Sequence, residues 1–320
     1  MPDPRSCPRN LSAKTPIAAR TALAAALAVI LTAPFPTHGA AQEGEPVRPV
    51  PRFEWSPTAP VQGRLFRFRV EAPGAQVGLR RVEGRTAGER LHFEPSGDGA
   101  FEALAPAPID AEGTLAVTVD LTYTDGTSER VQVGVPVGAG SYRHERLTVA
   151  PRFGGPPNEE DQRRRARDAA RARAVSEAAH RTPRLWTSQV VLPRDDRVTS
   201  GFGNGREFNG QISSRHMGLD LDGEPGDTVY AATRGVVELV DEFLLAGNIV
   251  YLNHGAGLVS GYFHLSEQLV AQGDTVEAGT PVGRVGATGR VTGPHLHWVV
   301  RHGYVSVDPR SLLEVVGEGR

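Results

Sequence analysis

Five of the chain's ten histidines fall between residues 216 and 297, and two of these are His295 and His297. On a strand, positions i and i+2 share a face, so two imidazoles would project side by side with Leu296 turned into a core. His216-Met217-Gly218-Leu219-Asp220 adds a third imidazole, with a carboxylate four residues on. Gly218 argues against a helix there, so His216 is expected to end a loop and Asp220 to begin a strand. Together His216, Asp220 and His297 make a His2Asp set. Three N/O donors plus water is the composition of a catalytic zinc site. The single cysteine, Cys7, excludes a thiolate site and an intramolecular disulfide. Tyr262-Phe263-His264-Leu265 places a further histidine at a strand end, suited to a supporting or proton-carrying role.

These residues need a rigid scaffold, and residues 190–313 read as glycine-punctuated β structure. Strands are expected over 228–231, 235–243, 248–253, 258–264, 281–285, 295–301 and 305–307. Turns are expected at Gly226-Asp227, Gly247-Asn248, Gly255-Ala256-Gly257 and Gly273-Asp274.

From about Val198 to Pro309 the chain resembles the lysostaphin-like zinc metallopeptidases, metalloendopeptidases that hydrolyse peptidoglycan. The resemblance is carried by Thr199-Ser200-Gly201-Phe202-Gly203, His216-x-Gly218-x-Asp220, Gly226-Asp227-Thr228-Val229-Tyr230-Ala231-Ala232 and Gly235-Val236-Val237. It continues through His254-Gly255-x-Gly257-Leu258, Tyr262-Phe263-His264-Leu265, Gly283-x-Val285-Gly286-x-Thr288-Gly289 and Thr292-Gly293-Pro294-His295-Leu296-His297-Trp298, in the family's order. It implies that His216, Asp220 and His297 hold Zn2+, with His264 and His295 beside the water that attacks. Some relatives have lost ligands and act as activators of other wall hydrolases; this chain retains every ligand and both histidines, which favours an enzyme. In several members a tyrosine lies on a loop before the first ligand. Here Gly205-Arg206-Glu207-Phe208-Asn209-Gly210-Gln211 has none.

Upstream the pattern changes. Phe66, Phe68 and Val70 alternate with Arg67 and Arg69, and Leu115 to Tyr123 alternates up to an Asp125-Gly126 turn, after which Val131, Val133 and Val135 alternate again. Period-2 runs around such a turn predict a hairpin, and several of them predict a small immunoglobulin-like β-sandwich over 52–150. Residues 158–180 are rich in Ala and charge and lack glycine; Asn158 can cap, and Glu159, Glu160 and Asp161 suit the first turn of a helix. Its arginines read as a solvated face, since acids interleave them. The expected architecture is mainly β, in order: sandwich, charged helical connector (151–189), metallopeptidase domain (190–313) and short tail (314–320).

Composition sets the remaining bounds. The chain has 320 residues, with Lys+Arg 35 against Asp+Glu 37, a balance that excludes a strongly basic nucleic-acid binder. Arg5, Arg9, Lys14 and Arg20 precede an apolar run from Thr21 to Ala33, too short to span a bilayer comfortably but apt for an export signal. Cleavage is expected after Ala41, with an uncleaved membrane anchor as the alternative; a Pro-rich linker, 42–51, follows. A lipoyl- or biotinyl-carrier reading of Gly273-Asp274-x-Val276-x-x-Gly279 fails, because no lysine follows Lys14. Of the remaining histidines, His92, His144, His180, His254 and His302 read as structural or solvated. Asp222 reads as a turn carboxylate and Trp298 as core, while Arg206 and Asn209 are candidates to line a groove.

The expectation is an exported, periplasmic or cell-envelope zinc endopeptidase acting on peptidoglycan peptide stems. The alternative is a wall-binding regulator, silent or auto-inhibited because the helix or the sandwich covers the groove. Both a polyglycine bridge and a direct D-amino-acid cross-link remain open as the bond cut.

Overall fold

Alternation of apolar and charged residues builds the first part of the chain. In the computed structural model of the protein, residues 50–73, 77–210 and 212–317 are described. The expected export signal, Cys7 and all but the end of the linker lie outside them. Strands β1 (Arg52–Ser56), β2 (Leu65–Glu71), β3 (Leu79–Thr86), β4 (Glu89–Leu91), β5 (Glu94–Pro95), β6 (Phe101–Pro106), β7 (Thr114–Tyr123) and β8 (Ser128–Pro136) form two four-stranded sheets. Their orders are β1-β2-β6-β5 and β4-β3-β7-β8. Phe66, Phe68 and Val70 from one sheet meet Val117, Val119 and Leu121 from the other in a single apolar core. Two sheets around one core form a β-sandwich, the layering that the period-2 runs predict, and β7 and β8 pair antiparallel across the Asp125-Gly126 turn.

The next strand departs from expectation. Strand β9 (His144–Leu147) leaves the sandwich and pairs in parallel with a strand about 60 residues later, Gly205 facing His144 and Phe208 facing Leu147. Helix α1 (Glu159–Arg181) follows, with the Asn158 side chain accepting from the Asp161 N–H at 2.8 Å. Its charged face is solvated, but Ala172, Val175 and Ala179 are buried against Leu239, Phe243, Ile249, Tyr251 and Phe263.

The remainder consists of β10 (Val198–Ser200), β11 (Gly205–Phe208), β12 (Ile212–Arg215), β13 (Leu219–Leu221), β14 (Thr228–Tyr230), β15 (Gly235–Phe243), β16 (Gly247–Gly255), β17 (Leu258–Leu265), β18 (Glu267–Gln268), β19 (Thr275–Val276), β20 (Pro281–Arg284), β21 (Leu296–His302), β22 (Val305–Val307) and α2 (Arg310–Gly317). The main sheet runs β10-β13-β21-β17-β16-β15-β19. Helix α1 covers one face and the Leu219–Trp298–Val316 core fills the other. Burial on both faces explains why β16 and β17 read as nearly continuous apolar runs rather than alternating ones. No helix of the described residues is long and apolar enough to cross a membrane.

Candidate metal centre

Adjacent strands of the main sheet supply the three donors. Asp220 on β13 lies directly opposite His297 on β21, and His297 lies opposite Phe263 on β17. His216 enters from the loop between β12 and β13, as its spacing predicts. His216 Nε2 is 2.9 Å from Asp220 Oδ1 and 2.9 Å from His297 Nδ1, and the third edge, His297 Nδ1 to Asp220 Oδ1, is 2.7 Å. His216 and Asp220 are buried, at 2% and 5% exposure. The small residue at 218 is required, because a Cβ there would lie 2.6 Å from His297 Cε1.

The proton inventory leaves room for a cation at this point. His216 Nδ1–H donates to the Gly201 carbonyl at 2.8 Å, which turns the Nε2 lone pair towards the Asp220 carboxylate. His216 Nε2 and Asp220 Oδ1, two acceptors 2.9 Å apart, repel unless a proton or a cation lies between them. The edges are slightly shorter than the ~3.3 Å of a tetrahedral site with ~2.0–2.1 Å bonds. The donor set, two imidazoles and a carboxylate, therefore fits zinc. Among the described residues this is the one group of three or more His, Cys, Asp or Glu placed to hold a metal ion.

Burial alone would raise the Asp220 carboxyl. Hydrogen bonds and charge from His216 and His297 outweigh it and hold the group well below the carboxylate range. Burial pushes His297 down to about 4, against the pull of Asp220. Arg206 donates to Asp220 Oδ2, and its Nε donates to Glu145 Oε2 at 3.1 Å. Glu145, on β9, also accepts from Ser200 Oγ at 2.8 Å and Asn204 Nδ2 at 2.7 Å. Burial works against its charge, but these donors hold it below its ordinary value. A strand from outside the peptidase-like segment thus orients a donor of the cluster.

His264 and His295 flank the cluster, with ring centroids 4.9 Å apart. His264 Nδ1–H donates to the Thr288 carbonyl and His295 Nδ1–H to the Gly293 carbonyl, each at 2.8 Å, so both Nε2 atoms are acceptors. His295 Nε2 lies 3.6 Å from Asp220 Oδ1. Burial, then the charges of His297 and His295, push His264 well below the ordinary imidazole value. Its backbone is left-handed, φ +63, a strained conformation for a non-glycine residue. His295 is not the first residue of β21, as its pattern predicts; it makes an isolated bridge to Gly286. A Cβ at Gly286 would lie 2.3 Å from Ser266 N, so the loop and the end of β17 touch backbone to backbone.

The cluster opens into a groove of about 660 Å3, walled by Glu145, Leu147 and Val149 as well as Arg206, Arg290 and Pro294. No residue of α1 is among its lining residues. Arg206 lines it; Asn209 does not, instead tying the 205–210 hairpin to Val149 through hydrogen bonds of 2.9 and 3.1 Å. Sequence reasoning missed Glu145, Ser200 and Arg290 here. Ser200 lies inside the Thr199-to-Gly203 motif and Arg290 between the Gly289 and Thr292 motifs, whereas Glu145 carried no signal.

Other histidines occupy different settings. His254 is buried and bonds the Arg234 carbonyl and Ser260 Oγ, each at 2.8 Å, a structural role. Trp298 is core and Asp222 pairs with Arg197 at 2.8 Å. His92, His180 and His302 are not separate surface residues but meet where sandwich, α1 and β21 join. His92 Nε2 lies 2.9 Å from His180 Nδ1, and His180 Nε2 lies 3.0 Å from Glu89 Oε2. The His302 ring meets His180 edge-on, with centroids 5.8 Å apart.

Residues 214–309 match the sequence profile of Peptidase family M23. The chain carries an M23 peptidase domain. His216, Asp220, His264, His295 and His297 all fall within it, whereas Glu145, Ser200 and Arg206 lie before it. The chain is similar to peptidoglycan DD-endopeptidase ShyC of Vibrio cholerae, 38% identical over 118 residues that make up 36% of this chain and 27% of the relative. It is also similar to DD-carboxypeptidase/endopeptidase Mpg of Neisseria meningitidis, 39% identical over 116 residues, 36% of this chain and 27% of the relative. The chain spans about a quarter of the length of these relatives. A crystal structure of a candidate M23 peptidase from Pseudomonas aeruginosa superposes over 80% of this chain and 96% of its own, with a TM-score of 0.60 at 24% identity. At that identity the likeness is one of fold, and it extends beyond the M23 domain into the upstream part of the chain.

Proposed function

We propose that the chain is an exported, zinc-dependent endopeptidase that hydrolyses peptide cross-links of peptidoglycan in the cell envelope. The observation that carries this reading is the convergence of His216 Nε2, Asp220 Oδ1 and His297 Nδ1 in an open groove, with two acceptor imidazoles beside them. The names of the relatives supply the substrate class. The N-terminal apolar run supports export.

Bound by these three atoms, zinc supplies Lewis-acid polarisation of a carbonyl and a water acidic enough to attack near neutral pH. His264 is kept neutral by burial, and its Nε2 takes the proton the attacking water gives up. His295 Nε2 accepts a hydrogen bond from the same water and orients it, and the proton taken by His264 passes to the leaving nitrogen. Water adds across the amide: the carbonyl carbon gains the hydroxyl, and the nitrogen leaves as an amine with the proton. Glu145 and Arg206 hold Asp220 in place throughout.

The test is to incubate the purified, zinc-loaded chain with isolated sacculi, with and without chelator, and to identify released muropeptides by mass spectrometry. Chelator-sensitive conversion of cross-linked dimers to monomers is expected. Unchanged dimers would contradict the reading.

A further inference from the structure

Four arginines line the groove, and three have their charge or donors engaged. Arg206 is held by Asp220 and Glu145, Arg146 lies 3.6 Å from Glu207, and Arg215 donates to the Gly203 carbonyl at 3.1 Å. The Arg290 guanidinium has no acceptor among the described residues. It lies over the Phe208 ring, 3.9 Å from the centroid. Burial, then the charges of Arg165 and Arg206, push its pKa down to about 10. Arg165 Nε, on α1, is likewise buried without an acceptor. An uncompensated, half-buried cation is costly to hold, and a groove that holds one is built for an anion.

The loop that carries Arg290 is fixed. Arg290 N donates to the Leu245 carbonyl at 2.9 Å. Thr288 Oγ1 donates to the Leu265 carbonyl at 2.9 Å and accepts from Asn248 N at 3.0 Å. At Gly289, φ +76, a Cβ would lie 2.5 Å from Gly247 N. The Thr288 carbonyl orients His264, so one rigid turn sets both the imidazole and the cation two residues on. This is the histidine flank of the centre, where the leaving nitrogen must receive its proton.

We propose that Arg290 binds a free carboxylate on the residue that supplies the leaving amine, so that the site selects amide bonds whose nitrogen sits next to a terminal carboxylate. The proposal rests on the peptidase reading above and deepens it. A direct cross-link from D-alanine to the D-centre of diaminopimelate has such a carboxylate one carbon from the scissile nitrogen. A polyglycine bridge continues as another amide and has none. A guanidinium steadied on an aromatic face presents two parallel N–H donors, the geometry that matches a carboxylate.

The test compares synthetic D-alanyl–diaminopimelate dimers with that carboxylate free or amidated, using the full, zinc-loaded chain. Amidation is expected to lower kcat/KM by about tenfold or more. Arg290→Ala should erase the preference, chiefly by raising KM for the free acid, with zinc content unchanged; Arg290→Lys should keep part of it. Equal cleavage of both dimers by the unsubstituted chain, or a preference that survives Arg290→Ala, overturns the assignment while leaving the peptidase reading intact. Cleavage of neither dimer, nor of sacculi, removes that reading and the assignment with it.

Discussion

Two imidazole nitrogens and a carboxylate oxygen lie 2.7–2.9 Å apart, a cluster able to hold a metal ion, and the neighbours are arranged to keep them there. Asp220→Asn removes the one formal charge of the set, so bound zinc and hydrolysis should both be lost, as metal analysis beside the sacculus assay would record. Glu145→Gln loosens Arg206 and, through it, Asp220. Zinc affinity should fall by about 10–100-fold, measurable by competition with a chromophoric chelator. His264→Ala or His295→Ala should keep zinc and lose turnover by about 10²–10⁴-fold. Near-full activity of either variant would remove that residue from the mechanism. The grouping of His216, Asp220 and His297 was legible from residue type and spacing, whereas the places of His264 and His295 came only from the resemblance, since His295 precedes β21 and His264 has a left-handed backbone. Glu145 was not legible, since nothing near residue 145 signals a partner about 60 residues downstream.

Strands set the geometry and glycines let them approach. Gly218→Ala places a methyl group against His297 Cε1 and the Trp298 carbonyl, so zinc content should drop while the rest of the sheet stays folded, seen as metal loss without loss of far-UV dichroism. Asn158→Ala removes the cap of α1 and should cost ~1 kcal/mol, read from denaturant unfolding. The hairpin β7–β8, the helix and most strands of the main sheet follow from alternation, capping and turn residues. Two features required the tertiary fold. One is the parallel pairing of β9 with β11, which makes upstream residues 145–149 a wall of the groove. The other is the burial of α1's alanine and valine face, which its many arginines mask. Helix α1 lines no part of the groove, whereas upstream residues 145–149 form one of its walls and Glu145 braces Arg206 against Asp220.

Across the molecule, buried histidines set how stability responds to pH. Burial lowers His254 to about 4 and His302 to about 3, against an ordinary value of 6.5. Below about pH 6.5 the unfolded chain therefore binds protons that the folded chain refuses. Stability should be flat above that pH and fall as pH drops towards 4, on the order of 3 kcal/mol from His254 alone. Thermal melts from pH 8 to pH 4 measure the slope. His302 has no partner for either ring nitrogen among the described residues, so His302→Leu should flatten the slope without losing a hydrogen bond. A slope unchanged by that substitution would mean His302 titrates normally. The most direct measurement on the whole account is anomalous diffraction at the zinc edge from crystals of the zinc-loaded chain. One ion is expected, ~2.0–2.1 Å from His216 Nε2, Asp220 Oδ1 and His297 Nδ1. A zinc peak at the His92–His180–His302 junction instead, or no peak at all, would contradict the assignment of the centre.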